Sequence, residues 1–244
     1  MILEGGLSVK AALLAGRRKV DVIYLDDARR DQDAFFILKK AAEKGVPLQR
    51  VNTEFIQSLA SGRTHGGVLC EAESRVMQEK EDCLKGGTPF IALVEGVEDP
   101  FNLGYIMRSL YAAGCTGLIL RKRDWTNAEA VILKSSAGAS EYINVVMSED
   151  LAEEVKWFKS QGIECVAAMR KDAVPYYEAD YKKPVLIAIG GEMRGLSSGV
   201  RHEIDRNIYI PYANDFRNAL NAAGAAAVLG FEVLRQRGVS DTEA

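Results

Sequence analysis

The chain has 244 residues, 48% hydrophobic and 27% charged, with a net charge of −3, so it is expected to fold as one large domain or two small ones and not to grip nucleic acid by bulk charge alone. Apolar runs such as 185–189 fall far short of the ~20 residues a membrane helix needs, and no basic segment leading into an apolar stretch opens the sequence. Four scattered cysteines and two histidines exclude a Cys/His zinc site, so no metal is expected and the expected setting is the reducing cytoplasm.

In chain order, residues 7–16 predict a short helix stopped by Gly16. Residues 20–25 predict a strand. Residues 31–45 predict a helix with Asp31 or Asp33 near its start and Gly45 after it. A strand at 46–51, a helix at 52–60 capped by Asn52 or Thr53, and a strand at 66–72 complete a small α/β unit over 1–75. Residues 76–88 are charged, end towards Gly86-Gly87, and read as a linker. The remainder, 89–244, alternates again: strands at 90–94, 117–120, 142–146, 163–168, 184–189 and 207–210, and helices at 103–113, 127–135, 149–161 and 217–236. The near-continuous apolar strand at 90–94 is of the kind that parallel sheets bury. This second part therefore predicts an open parallel sheet covered by helices, with ligands at the carboxyl ends of its strands.

Charge is uneven along this division. Residues 1–88 hold 14 Lys or Arg against 13 Asp or Glu, a net of +1, and residues 89–244 hold 17 against 21, a net of −4. Each basic cluster, such as Arg29-Arg30 or Arg121-Lys122-Arg123, is taken singly as a solvated face.

Three stretches of the second part carry chemistry. In EDPFNLGYIMRSLYAAG (98–114), Pro100 fixes its own φ and Asn102 is positioned to cap the helix that follows. Leu103, Ile106, Met107 and Leu110 form its core stripe. Arg108 leaves that stripe by about 140° at ~100° per residue, between Gly104 and Ala112, which leave room for a backbone or ligand. In IAIGGEMRGLSSGV (187–200) an apolar strand runs into Gly190-Gly191, Glu192 and Gly195. This is neither the dinucleotide fingerprint nor a P-loop. In IYIPYANDFRNALNAAGAAA (208–227) a strand ends at Ile210-Pro211, and a helix opens on the small residues NAAGAAA after Leu220. Gly224 costs a helix interior about 1 kcal/mol, which a close helix–helix approach would offset.

Together the three stretches resemble the SpoU (TrmH-like) branch of the SPOUT RNA methyltransferases, whose motifs run D-P-x-N-x-G with a following R, G-x-E-x-x-G-L/M, and I-P with S-L-N. Here these are Asp99 to Gly104 with Arg108, Gly190 to Leu196, and Ile210-Pro211 with Ala219-Leu220-Asn221. Residues 1–75 are similar to the family's ribosomal-protein-like RNA-binding domain, so the resemblance spans nearly the whole chain. It implies a deep trefoil knot in the C-terminal domain, and a homodimer joined through the helices of the first and third motifs. It implies S-adenosylmethionine as cofactor, bound near Gly190, Gly191, Gly195, Ile210, Pro211, Ala219 and Leu220. It implies 2′-O-methylation of ribose in RNA, ribosomal ahead of transfer RNA, with Arg108, Asn102, Glu192 and Asn221 as catalytic residues. The chain departs from the motif at Ala219, where the family has serine, and at Phe101, where it has a small residue. Ala219 keeps open a homologue that binds cofactor or RNA without catalysis. The missing glycine fingerprint disfavours a nucleotide-dependent oxidoreductase.

Overall fold

Asp31 starts a helix by accepting a hydrogen bond from the Ala34 N–H, and Gly45, at φ 67°, stops it after thirteen helical residues. Ala34, Ile37 and Ala41 recur at helical spacing and are the buried residues between these two signals. The computed structural model, which describes residues 1–215 and 218–238, contains many such locally specified elements. In chain order the first are β1 (Ile2–Glu4), α1 (Gly6–Ala15), β2 (Val20–Asp26), α2 (Gln32–Lys44), β3 (Leu48–Val51), α3 (Thr53–Leu59) and β4 (Val68–Ala72). Their sheet has the order β1-β4-β2-β3; only β2 and β3 run parallel. The strand β1 was not expected from the sequence. Three residues are too few to show alternation, and β1 exists because Leu3 pairs opposite Cys70 in β4.

The chain then forms β5 (Phe90–Glu95), α4 (Pro100–Ala112) and β6 (Gly117–Arg121). Within the expected linker, Lys80–Leu84 coil into a 3₁₀ turn, and its Cys83 is buried in the core with Ile91 and Leu93. Next come α5 (Glu129–Ser135) and α6 (Ala139–Tyr142). Packing divides the chain into two compact units, Met1–Val76 with Asp124–Tyr142, and Met77–Arg123 with Ile143–Ala244. Packing thus adds to the expected 1–75 unit a second stretch of chain, because Leu133 enters its apolar core. The Arg18 side chain, 2% exposed, also pairs with Glu129 at 2.9 Å and Glu141 at 2.7 Å.

The last elements are β7 (Val145–Ser148), α7 (Leu151–Ser160), β8 (Glu164–Ala168), β9 (Ala173–Pro175), β10 (Val185–Gly190), α8 (Ser198–Glu203), β11 (Arg206–Tyr209) and α9 (Ala222–Arg237). Seven strands form one sheet in the order β7-β6-β5-β10-β8-β11-β9, and every neighbouring pair is parallel. Thus β10 enters between β5 and β8, and β11 between β8 and β9. The unbroken apolar run of β5 follows from burial on both faces. Ile91 and Leu93 pack with Val155, Phe158 and Val200. On the other side, the Phe90 ring lies near Gly230 of α9.

Several expected boundaries are corrected. The helix expected over 103–113 begins at Pro100, because Asp99, not Asn102, is the cap. The helix expected over 127–135 is a 3₁₀ turn followed by α5. The strand expected over 142–146 begins only at Val145, since Ala139–Tyr142 is helical. The helix expected over 217–236 begins at Ala222; position 217 itself lies outside the described residues. The elements α8 and β9 were not expected.

Candidate functional site

The carboxyl ends of β5, β8, β10 and β11 carry loops that line adjoining hollows. After β5, Asp99 accepts a hydrogen bond from the Asn102 N–H at 2.9 Å, and Pro100 follows at the first helical position, where its missing N–H costs nothing. Asn102 therefore sits within the first turn of α4 with its side chain released from capping. It lines a hollow of about 340 Å³ together with Glu98, Asp99, Glu192, Arg194 and Ala222. A second hollow, of about 270 Å³, is walled by Ile189, Gly190, Ile208, Ile210, Leu220 and Leu229, with Ala168, Ala219 and Ala225 also at its surface. Ala222 borders both. Pro211 borders a third opening, of about 400 Å³, with Arg170, Tyr212, Asn214 and Asp215.

The glycines after β10 serve chain-to-chain packing more than open space. Gly191 and Gly195 form a β-bridge. The Gly191 N–H donates to the Glu95 carbonyl at 2.6 Å, and the Gly195 N–H to the Gly191 carbonyl at 3.0 Å. A Cβ on Gly191 would run into the Gly96 carbonyl, and one on Gly190 would lie 2.6 Å from the Gly195 carbonyl carbon. Three backbone segments meet where side chains have no room, and the tip Glu192-Met193-Arg194 stands out into solvent.

In the third stretch, the Asn221 side chain accepts from the Gly224 N–H at 2.7 Å and caps α9. A Cβ on Gly224 would sit 3.0 Å from that same Asn221 oxygen. Within this chain Gly224 therefore meets the cap, and no second backbone lies within 4 Å of its Cβ among the described residues. The close helix approach is made six residues later. A Cβ on Gly230 would lie 3.2 Å from the Ala113 Cβ and 3.4 Å from the Leu110 Cδ2, where α9 crosses α4.

Asn102 and Glu192 thus share one hollow, and Gly190, Ile210, Ala219 and Leu220 share the next. Gly191, Gly195 and Asn221 shape the loops around them. Arg108 is exposed on α4, lines none of these hollows, and makes no hydrogen bond or ion pair among the described residues. Among those residues no three His, Cys, Asp or Glu side chains are placed to hold a metal ion.

Two participants escaped the sequence reading. Glu95 has its side chain 9% exposed and ends the apolar strand FIALVE. It receives the Ser197 N–H at 2.8 Å and pairs with Arg121 at 3.0 Å. A carboxylate closing an otherwise apolar run was the available signal. Arg170 stacks on Tyr212, whose hydroxyl oxygen accepts from the Leu220 N–H at 2.8 Å. No spacing in the sequence links positions 170 and 212.

Comparison with known proteins matches residues 89–231 to the SpoU rRNA Methylase family and residues 2–76 to the family described as RNA 2'-O ribose methyltransferase substrate binding. The 23S rRNA (guanosine-2'-O-)-methyltransferase RlmB of Ralstonia nicotianae is 30% identical over 241 residues, 98% of this chain and 96% of that protein. The enzyme of the same name from Xanthomonas campestris pv. campestris is 32% identical over 208 residues, 82% of each chain. The fold is shared with the AdoMet-bound rRNA methyltransferase from Sinorhizobium meliloti (TM-score 0.79, 24% identity, 96% of this chain and 86% of that one). It is shared equally with the SpoU methyltransferase AviRb from Streptomyces viridochromogenes (TM-score 0.79, 23% identity, 97% and 90%). With a family model covering more than half its length and a relative 30% identical over nearly all of it, the chain belongs to the SpoU rRNA methylase family.

Proposed function

We propose that this protein transfers a methyl group from S-adenosylmethionine to a ribose 2′-hydroxyl of RNA, ribosomal ahead of transfer RNA. The observation that carries this is the convergence, at the carboxyl ends of parallel strands, of the Asn102–Glu192 hollow with an apolar one bordered by Gly190, Ile210 and Leu220.

The residues present fit the cofactor. Ile189, Ile208 and Leu229 offer apolar walls to an adenine ring, and the chain ends of β10 and β11 offer main-chain groups to its polar edge. When bound, S-adenosylmethionine supplies an electrophilic methyl group on a sulfonium. The chain's own residues then hold and align the ribose. Asn102 orients the hydroxyl from the first turn of α4, and Glu192 orients its partners from the opposite loop. Asn221 keeps the third loop in place through the α9 cap. Arg108, exposed on α4 and outside these hollows in the single chain, would hold a phosphate of the target; for its charge also to face the developing alkoxide, bound RNA or a second copy of the chain has to bring the two together. A charged guanidinium has no acceptor, so phosphate or water takes the proton.

The assembly belongs to the same reading. Phe101 and Tyr105 of α4 and Phe231 of α9 are large exposed apolar residues, which supports a homodimer through these helices. The late insertion of β10 and β11 between earlier strands supports a trefoil knot. Residues 1–75 would select the RNA and 89–244 carry out transfer, with 76–88 joining them. Four buried free cysteines suit the cytoplasm, and among the described residues no helix is long and apolar enough to cross a membrane.

Ala219, with no hydroxyl where the family motif has serine, favours a second reading, cofactor or RNA binding without catalysis. Transfer of tritium from labelled S-adenosylmethionine into bulk RNA tests both. Incorporation supports the enzyme; cofactor and RNA binding without incorporation supports the second reading.

A further inference from the structure

We infer that Arg170 positions the RNA by gripping a phosphate beside the nucleotide to be modified, an inference that rests on the activity proposed above. Its guanidinium carbon lies 4.9 Å from the centre of the Tyr212 ring. It borders both the apolar hollow and the opening outside it. No carboxylate among the described residues pairs with it, although Asp215 lines the same opening.

An exposed arginine is ordinarily a loose solvated chain. This one is held. On one side of it the Met169 N–H donates to the Ile208 carbonyl at 2.9 Å. On the other the Asn207 Nδ2 donates to the Lys171 carbonyl at 2.9 Å. Asp172, two residues after Arg170, sits at φ 49°, a left-handed turn that aspartate tolerates better than most residues. The ring beneath is tethered as well, through the Leu220 N–H at 2.8 Å. The result is a preorganised, un-neutralised guanidinium on an aromatic platform. That fork suits a phosphate, and its stacking reduces the entropy lost on binding one.

Two oxyanions could come here, an RNA phosphate or the cofactor's carboxylate. Pro211, Asn214, Asp215 and Arg170 are all exposed around the opening, whereas the adjoining hollow is apolar. Exposed cations in an open groove track the backbone of single-stranded nucleic acid. The ribose 2′-hydroxyl also neighbours the phosphodiester on the adjacent 3′ oxygen. The RNA phosphate is therefore favoured.

The test compares the intact wild-type chain with Arg170→Gln and Arg170→Lys. Affinity for an unmodified ribosomal RNA transcript is measured by fluorescence anisotropy over a range of potassium chloride concentrations. Affinity for S-adenosylhomocysteine is measured by calorimetry, and KM and kcat by label transfer. Arg170→Gln should lower the slope of log affinity against log salt by about 0.7 to 0.9. It should raise KM for RNA more than it lowers kcat and leave S-adenosylhomocysteine binding unchanged. Arg170→Lys should keep the wild-type slope. An unchanged slope in Arg170→Gln overturns the inference, as does a selective loss of S-adenosylhomocysteine affinity, which would assign Arg170 to the cofactor. A wild-type chain that binds the transcript but transfers no label would sink the proposed activity, while the slopes would still decide the role of Arg170 in RNA binding.

Discussion

The Glu95 carboxylate and the Ser197 N–H meet at 2.8 Å, joining the end of β5 to the first residue before α8. Glu95 is buried, and its second oxygen reaches Arg121, which is half-exposed. The bond to Ser197 therefore carries most of the effect, since exposed ion pairs contribute little.

Glu95→Ala leaves the Ser197 N–H without its acceptor. The expected cost is about 1–3 kcal/mol, read from the urea midpoint. Affinity for S-adenosylhomocysteine should also fall, because the loop that Glu95 holds includes Glu192 and Arg194. Unchanged stability and affinity would show that water replaces the carboxylate freely.

Gly191→Ala should be tolerated worse than Gly195→Ala. The added Cβ of the first would strike the Gly96 carbonyl, whereas nothing lies within 4 Å of a Cβ on Gly195, although Gly195 has φ 62° and is strained for other residues. Overpacking of this kind costs about 1–3 kcal/mol. Thermal melts of both variants, with and without cofactor, check the order.

Arg108→Ala should reduce methyl transfer on the order of 10²-fold or more if its charge faces the developing alkoxide. Its fold should be intact, since Arg108 is exposed and makes no hydrogen bond or ion pair among the described residues. A pH–rate comparison with Arg108→Lys separates the roles. Substantial lysine activity at raised pH indicates charge; an inactive lysine variant indicates fork geometry or a true base.

Arg18→Met takes the guanidinium from two carboxylates, Glu141, 0% exposed, and Glu129, 10% exposed, which keeps the Arg75 N–H at 3.1 Å. Breaking a buried pair from one side costs about 3–5 kcal/mol. The Arg18→Met/Glu141→Met double variant should recover part of that loss. Scanning calorimetry of the intact chain gives the comparison, and a neutral single variant would mean that solvent reaches the pair.

Burial pushes the thiols of Cys70, Cys83, Cys115 and Cys165 up to about 12, against an ordinary value of 9.0. A thiol with a raised folded pKa contributes its full share of stability below the unfolded value. That share is lost as pH climbs from about 9 towards about 12, because the unfolded chain releases those protons first. Melting temperatures should fall over this window. In the native state none of the four should react with iodoacetamide at pH 8, and all should react in urea.

Motif and strand patterns were legible where short-range chemistry decides them. Asp31 and Asn52 cap the helices expected to start there, because a cap needs only its own next few N–H groups. The same logic misplaced the start of α4. Asn102 and Asp99 are both competent caps, and the helix starts at the earlier one because Pro100 occupies its first position without losing a hydrogen bond. Gly224 shows the opposite limit: a glycine in a helix signals that something is close, but not whether that is a cap oxygen or another helix.

The sequence by itself determined the parallel α/β character of residues 89–244, the three motif loops and the residues that carry them, since apolar runs, glycines and caps act through near neighbours. Only the tertiary structure decided that β10 lies between β5 and β8, that Asp124–Tyr142 packs with the first unit, that Glu95 receives the Ser197 N–H and that Arg170 borders the apolar hollow. Those outcomes depend on contacts between residues tens to more than a hundred positions apart. No local periodicity encodes them; burial and the pairing of buried polar groups select them when the chain closes on itself.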